Sequence, residues 1–324
     1  MKIVISLIVT AFLTGCVGPG LEHYKVSIRA DVPEPPKSGV KVTYLGVNGY
    51  LLQSKDATVL VDPYFTRIPI GEFAISHHLE PDQKRIDWGL RQVLGRHSHV
   101  DLILVTHSHP DHIFDVRPIA QRTGATIVAS PTGCNLLRAF RDKPPLKCVA
   151  MVTAAVQEPT NVALEETKQF GPVTVRALRT EHDRLAGIKL FPGTRETVPK
   201  RPMCASDWVC GEALSYIVTM GGKRIFISAG EIHAPAQNNL APVDLTIVGA
   251  ALHDSQVSFR ATVDKLQPRY ILPSHQDDFF LPPEQGFHFG HTANFGLVIR
   301  ALKKEPDLIH KLIVLDYFRP WTLN

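Results

Sequence analysis

The run His107-Ser108-His109-Pro110-Asp111-His112 places three imidazoles and a carboxylate within six residues. It follows directly on Val100-Asp101-Leu102-Ile103-Leu104-Val105, a nearly continuous apolar stretch. Such a stretch suits a strand covered on both faces, so the sheet that holds it needs a packed layer on each side. The polar cluster must leave that strand at its end. His107 and His109 then lie on an extended turn and can face one ion. Asp111 and His112 open a predicted helix that ends at Gly124, and they can face a second. Imidazole and carboxylate suit Zn²⁺ and similar first-row ions. Two such ions a few ångströms apart hold one hydroxide between them and supply a nucleophile at neutral pH. Histidines that merely cap a strand end are the bland alternative.

Six neighbouring residues cannot complete two sites, so further ligands are sought at other strand ends. Val40–Leu45, Tyr50–Gln53 and Thr58–Val61 read as an antiparallel meander stopped by Asp62-Pro63. Residues 64–98 read as a long irregular segment, the kind that is functional or mobile. Thr126–Ala129 is a predicted strand and Pro131–Phe140 a helix. In the second half Val173–Thr180 alternates as a strand, and Ala213–Thr219 pairs with Arg224–Ser228 around Gly221-Gly222. Leu245–Val248, Tyr270–Leu272 and Leu312–Leu315 are short strands; Ser255–Leu266 and Thr292–Lys304 are helices. His182, Glu231 and His275 each stand just past one of these strands. A sheet gathers such loops on one rim. Meanders and strand–helix alternation in both halves indicate an α/β protein with two mixed sheets and helices outside.

The first residues are set apart. Lys2 precedes an apolar stretch, Ile3 to Leu13, too short to span a bilayer comfortably, and Leu13-Thr14-Gly15-Cys16 follows. This resembles the lipobox of bacterial lipoproteins, which implies removal of residues 1–15 and lipidation of Cys16. Residues 16–38, with Pro33, Pro35 and Pro36, read as an extended tether, and 39–324 as the folded domain. Val17 instead of Asp favours an outer membrane, facing the periplasm. Export turns Cys134, Cys148, Cys204 and Cys210 into disulfide candidates; sequence proximity suggests Cys134–Cys148 and Cys204–Cys210 among three possible pairings. The 324 residues, 44% hydrophobic and 20% charged, suffice for a sizeable core. The formal charge of +4, with no dense basic stripe interleaved with aromatics, gives no reason to expect nucleic acid.

Together these residues resemble the metallo-β-lactamase superfamily over roughly residues 40–318. That resemblance implies a four-layer αβ/βα sandwich with metals at the edge between the sheets. It implies a first site of His107, His109 and His182, a second of Asp111, His112 and His275, and a bridging carboxylate at Glu231. Asp111 and Glu231 are the carboxylates expected in catalysis. Gly230-Glu231 departs from the Gly-Asp usual there. The longer side chain, by roughly 1.5 Å, can bridge, bind one ion only, or act as general acid or base. Two zinc ions are expected, with one ion, iron or manganese as alternatives. Leu45-Gly46-Val47-Asn48-Gly49-Tyr50-Leu51-Leu52 and Val59-Leu60-Val61-Asp62-Pro63-Tyr64 are similar to the branch containing phosphorylated-ascorbate lactonases and N-acylphosphatidylethanolamine phospholipase D. It implies a phosphodiester, lactone or related ester substrate, small-molecule or lipid. A tethered binding protein of the same fold with lost or mononuclear metal activity is the rival.

Asp62 is expected to support a ligand loop. His77, His78, His233, His253, His288 and His291 are expected either to contact substrate or to stand behind the ligands. His97 and His99 precede the buried strand and read as structural.

Overall fold

Val40–Gly46 (β1), Gly49–Gln53 (β2) and Thr58–Val61 (β3) form the expected antiparallel meander, with Val42 opposite Leu52 and Leu51 opposite Leu60. The structure is a computed structural model. It describes residues 18–24, 38–95, 99–152, 165–182, 188–229, 231–232, 240, 242–249, 255–290, 295–304 and 306–324. For 23–24, 231–232, 255–260 and 301 it describes the backbone alone. Leu102–Leu104 (β4), Thr126–Ala129 (β5) and Cys148–Ala150 (β6) continue the sheet in parallel, and Pro320–Leu323 closes its other edge beside β1.

The second sheet is built from Glu165–Phe170 (β7), Val173–Glu181 (β8), Ala213–Met220 (β9), Lys223–Ile227 (β10), Glu231–Ile232 (β11), Leu245–Gly249 (β12) and Tyr270–Ser274 (β13). Its order is β11-β8-β9-β10-β12-β13, with β7 beside β8. Side chains of period two decide the layering. Val40, Val42, Tyr50, Leu52, Val59 and Val61 join Val173, Val175, Tyr216 and Val218 in one core between the sheets. Leu51, Leu60 and Ile103 point the other way, into a second core beneath helices. Ile217 and Phe226 face a third with Leu266. Each fully buried aliphatic side chain of this kind contributes roughly 1.5–3 kcal/mol.

Polar bonds through the central core set the sheets against each other. The Tyr216 hydroxyl donates to the Val105 carbonyl, and the Tyr50 hydroxyl to the Pro273 carbonyl, each at 2.7 Å. Val105 and Pro273 immediately precede the two loops that carry the histidines. Leu214 N–H adds a bond to Thr106 O at 2.8 Å.

Several expectations are corrected. Residues 64–98 are not irregular throughout: Ile70–Ile75 (α1) and Gln83–Leu94 (α2) are helices. Asp82 caps the second by accepting from Lys84 and Arg85 N–H, and Gly95 ends it. The single helix expected from Asp111 is two, Pro110–Ile113 (α3) and Val116–Thr123 (α4). Pro118 has no N–H for the carbonyl four residues back, Phe114, so the helix breaks there. It does end at Gly124, in a left-handed cap. Pro131–Arg138 (α5) and Ser255–Leu266 (α6) stand where expected, and Phe295–Lys303 (α7) is the described part of the C-terminal helix. Leu312–Leu315 is buried but is not a strand; Leu312 makes one bridge to Ile271. Residues 18–24, within the stretch expected as an extended tether, contact the folded domain. Leu21–Tyr24 is a 3₁₀ turn with Leu21 buried, and Pro19 O accepts from Phe289 N–H at 2.8 Å. Among the described residues, no helix is long and apolar enough to cross a membrane.

Cys134 and Cys148 are bonded, as proximity suggested. Cys204 and Cys210 are not. The Cys204 thiol donates to Asp207 at the start of a 3₁₀ turn. Cys210 is buried with its backbone held by Phe191 and Ser108, and burial pushes its thiol up to about 12. The intervening Trp208 is itself packed against Phe114 and Phe140.

Candidate metal centre

The turn after β4 opens with Thr106, whose backbone N–H donates to Asp62 Oδ1 at 2.8 Å and whose hydroxyl donates to Asp62 Oδ2 at 2.5 Å. Asp62 ends β3, is fully buried, and takes a positive φ of 38°. Left-handed backbone at a non-glycine residue is strained and persists only where its surroundings hold it. Asn48 Nδ2 also donates to Asp62 Oδ2, at 2.8 Å. The same Oδ2 lies 2.7 Å from His112 Nδ1. Asp62 therefore aims His112, leaving Nε2 to face the site, as carboxylates do behind metal-ligating histidines.

His107 Nε2 approaches His109 Nδ1 at 3.0 Å and His182 Nε2 at 3.1 Å. The other nitrogen of His109 donates to the Leu190 carbonyl at 3.0 Å, which fixes its tautomer with the Nδ1 lone pair turned inward. These three residues form one cluster, and Asp111, His112 and His275 form another. In each, the possible ligand atoms lie within 4.8 Å of one another. The two clusters adjoin: the His107 and His112 rings are 3.7 Å apart between centroids. His107, His109 and His112 are buried, while the Asp111 side chain keeps 22% exposure, so the centre opens beside it.

The electrostatics suit cation ligation. Burial, then repulsion from His112, His182 and the other imidazoles, keeps His107 well below the ordinary histidine range. Burial and His182 push His109 down to about 3, and burial and His112 push His275 down to about 4. These rings are neutral at pH 7, as ligands must be. Burial would also lower His112, but Asp111 and Asp62 outweigh it and raise it to about 10. Burial would raise Asp111, yet His112 at 3.3 Å holds its carboxyl far below the usual range. The donor set fits two first-row ions, three side chains to each, with a bound ion displacing the proton that Asp111 and Asp62 stabilise on His112.

Glu231 has its backbone opposite Glu181, the residue before His182. Its side chain lies outside the described residues, as do His233, His253, His291, His97 and Cys16. His77 and His78 are exposed, and His78 faces Glu80 at 3.4 Å; neither joins a cluster. His288 Nδ1 contacts the Gly18 carbonyl at 3.0 Å, so it pins the N-terminal turn. His99 pairs with Asp101 at the surface, a structural role as expected.

Sequence reasoning missed the support of His275. This residue has a positive φ of 56°, and its N–H donates to Val47 O at 2.7 Å. Val47 N–H donates to Asp277 Oδ1 at 2.9 Å. Asp277 also accepts from the Tyr44 hydroxyl at 2.7 Å, the Tyr317 hydroxyl at 2.6 Å and Arg67 Nη2 at 2.9 Å. Gly46 makes room for the guanidinium, since a Cβ there would sit 1.7 Å from Arg67 Nη2. Asp277 in His275-Gln276-Asp277 was the only hint in the chain; Tyr44, Arg67 and Tyr317 are scattered too widely to be read as partners. Thr106, Asn48 and the Leu190 carbonyl were missed for the same reason.

Comparison with known proteins agrees with this geometry. Residues 41–275 match the family model described as a beta-lactamase superfamily domain. The chain is 32% identical over 242 residues to a UPF0173 metal-dependent hydrolase of Carboxydothermus hydrogenoformans, covering 73% of this chain and 84% of the relative. Among solved structures it resembles a metallo hydrolase from Ignicoccus hospitalis, with a TM-score of 0.54, 15% identity, and coverage of 89% of this chain and 99% of that one. It also resembles CmlA, a diiron β-hydroxylase from Streptomyces venezuelae, with a TM-score of 0.53, 14% identity, and coverage of 90% and 55%. The buried histidine clusters at the ends of two mixed sheets and the family match together place the chain in the metallo-β-lactamase superfamily, as a metal-dependent hydrolase.

Proposed function

We propose that this hydrolase works with two ions, zinc in each site, on a phosphodiester, lactone or related ester. The observation that carries the reading is the adjacency of two three-residue clusters, His107–His109–His182 and Asp111–His112–His275. Bound divalent ions would there lower the pKa of water and offset charge developing on the substrate. The protein's part is preorganisation. Asp62 fixes the orientation of His112 and Leu190 O that of His109, so little reorganisation is needed when the substrate arrives. The half-open side at Asp111 is where the scissile group would enter. The lipobox-like Cys16 supports an exported, lipid-anchored enzyme facing the periplasm, which makes an envelope lipid or an imported diester a suitable substrate.

Metal content per chain, by plasma mass spectrometry, tests the reading. About two zinc ions, with turnover of ester or phosphodiester reporters abolished by a chelator, is the expected result. One ion per chain would mean that Glu231 does not complete the second site, and iron in place of zinc would overturn the assigned metal.

A further inference from the structure

Four phenylalanines from three distant segments meet beside the two histidine clusters. Phe191 follows Leu190, whose carbonyl holds His109, and its ring centroid lies 6.1 Å from that imidazole. Phe279 follows the loop of His275 and lies 6.5 Å from that ring, with Phe280 beside it at 4.6 Å. Phe73 of α1 joins the two sides, 6.0 Å from Phe191 and 6.1 Å from Phe280. All four rings are only half-buried.

The helix that carries Phe73 is unusual. Its sequence, Ile70-Gly71-Glu72-Phe73-Ala74-Ile75, is mostly apolar, yet none of its residues is buried. Among the described residues the exposed large hydrophobics are Ile75 at 77%, Ile188 at 45% and Val198 at 49%. Ile75 is on the Phe73 helix and Ile188 on the Phe191 segment. Phe73, Phe191 and Phe279 rest on one side against the core beneath the helices, and each leaves the rest of its side chain uncovered. Half-open aromatic rings gathered beside a polar site are the common lining of a ligand pocket.

We infer that Phe73, Phe191, Phe279 and Phe280 form the wall that binds an apolar group of the substrate, an acyl chain or aryl ring next to the scissile bond. The inference rests on the hydrolase reading of the same centre. It makes Phe73 a specificity-determining residue that touches no histidine of either cluster in the contacts described above.

Alkyl hydroxamates test it on the full, metal-loaded protein, because their head binds metal and their tail reports the wall. Dissociation constants for aceto-, hexano- and decanohydroxamate are measured by calorimetry. Each added four carbons should tighten binding at least about tenfold, because a half-open wall covers only part of each methylene. Phe73→Ser and Phe280→Ser should reduce that gain to about threefold or less, with acetohydroxamate unchanged. Phe73→Ser alters an exposed helix, and its melting temperature is read alongside. A chain-length profile that is flat, or that survives both substitutions, overturns the inference while the bound acetohydroxamate leaves the metal centre standing. Failure of acetohydroxamate to bind at all would count against the metal centre instead. In that case fluorescence of a dansylated undecanoate on the same protein reads the wall alone: loss of the signal in Phe73→Ser supports it, and no loss overturns it. Equal preference for soluble and vesicle-borne long-chain esters would assign the apolar group to free substrates; preference for vesicles would assign it to membrane lipid.

Discussion

The Arg67 guanidinium and the Asp277 carboxylate meet at 2.9 Å with neither side chain exposed to solvent. Burial alone would raise the Asp277 carboxyl; Arg67, the two tyrosine hydroxyls and Val47 N–H together hold it below its ordinary value. Removing one partner of a buried pair strands the other charge and costs about 3–5 kcal/mol. Asp277→Ala should lower the urea midpoint accordingly. Because Val47 also takes the His275 N–H, the variant should lose metal affinity at the second cluster before the first. Cobalt substitution followed by absorption spectroscopy separates the two.

Asp62→Asn should weaken metal binding roughly 10–100-fold, since His112 loses the carboxylate that orients it. The check is a competition titration against a chromophoric chelator. Affinity equal to that of the unmodified protein would remove Asp62 from the centre.

His109→Ala should abolish turnover and lower metal content, because it removes one of the three nitrogens of the first cluster. Thermal unfolding should change by only a few degrees, as the cluster is built on loop ends and not within the cores. Full activity in this variant would sink the metal-centre assignment.

Asp115 predicts a pH dependence. Its carboxylate takes N–H bonds from Phe65 and Thr66 and the Thr66 hydroxyl, but burial still raises it to about 6. A carboxyl raised on folding stabilises the protein in its protonated form. The contribution is complete below the unfolded value, near pH 4, and is lost as pH rises through about 6. Denaturant titrations from pH 4 to 7 should show the parent losing stability relative to Asp115→Asn as pH rises.

The Cys134–Cys148 bond closes a separation of 14 residues. Loop-closure entropy assigns such a bond about 3 kcal/mol. Cys134→Ser should cost that much under oxidising conditions and nothing under strong reduction, by chemical denaturation of both forms.

The sequence by itself determined most of the strands, because period-two alternation and the apolar β4 run answer to local burial; Cys148–Ala150, Glu165–Phe170, Glu231–Ile232 and Pro320–Leu323 were not read from it, and the apolar Leu312–Leu315 is not a strand. It also determined the metal-cluster residues of the first turn, because His107, His109, Asp111 and His112 are neighbours in the chain. His182 and His275 were legible as strand-end residues, since a strand's end is marked by the loss of its pattern. Only the tertiary structure decided what holds them. Val47 and Asp277, Thr106 and Asp62, and Leu190 and His109 are joined by hydrogen bonds between groups 44 to 230 residues apart. Nothing in local pattern encodes such pairs: they exist because packing the two sheets brings the loop ends together and excludes water from their polar groups. The pairing of cysteines divides the same way. Cys134 and Cys148 are brought together across α5 and β6, whereas Cys204 and Cys210, nearer in sequence, are held by different partners, Cys204 by Asp207 and Cys210 by Phe191 and Ser108.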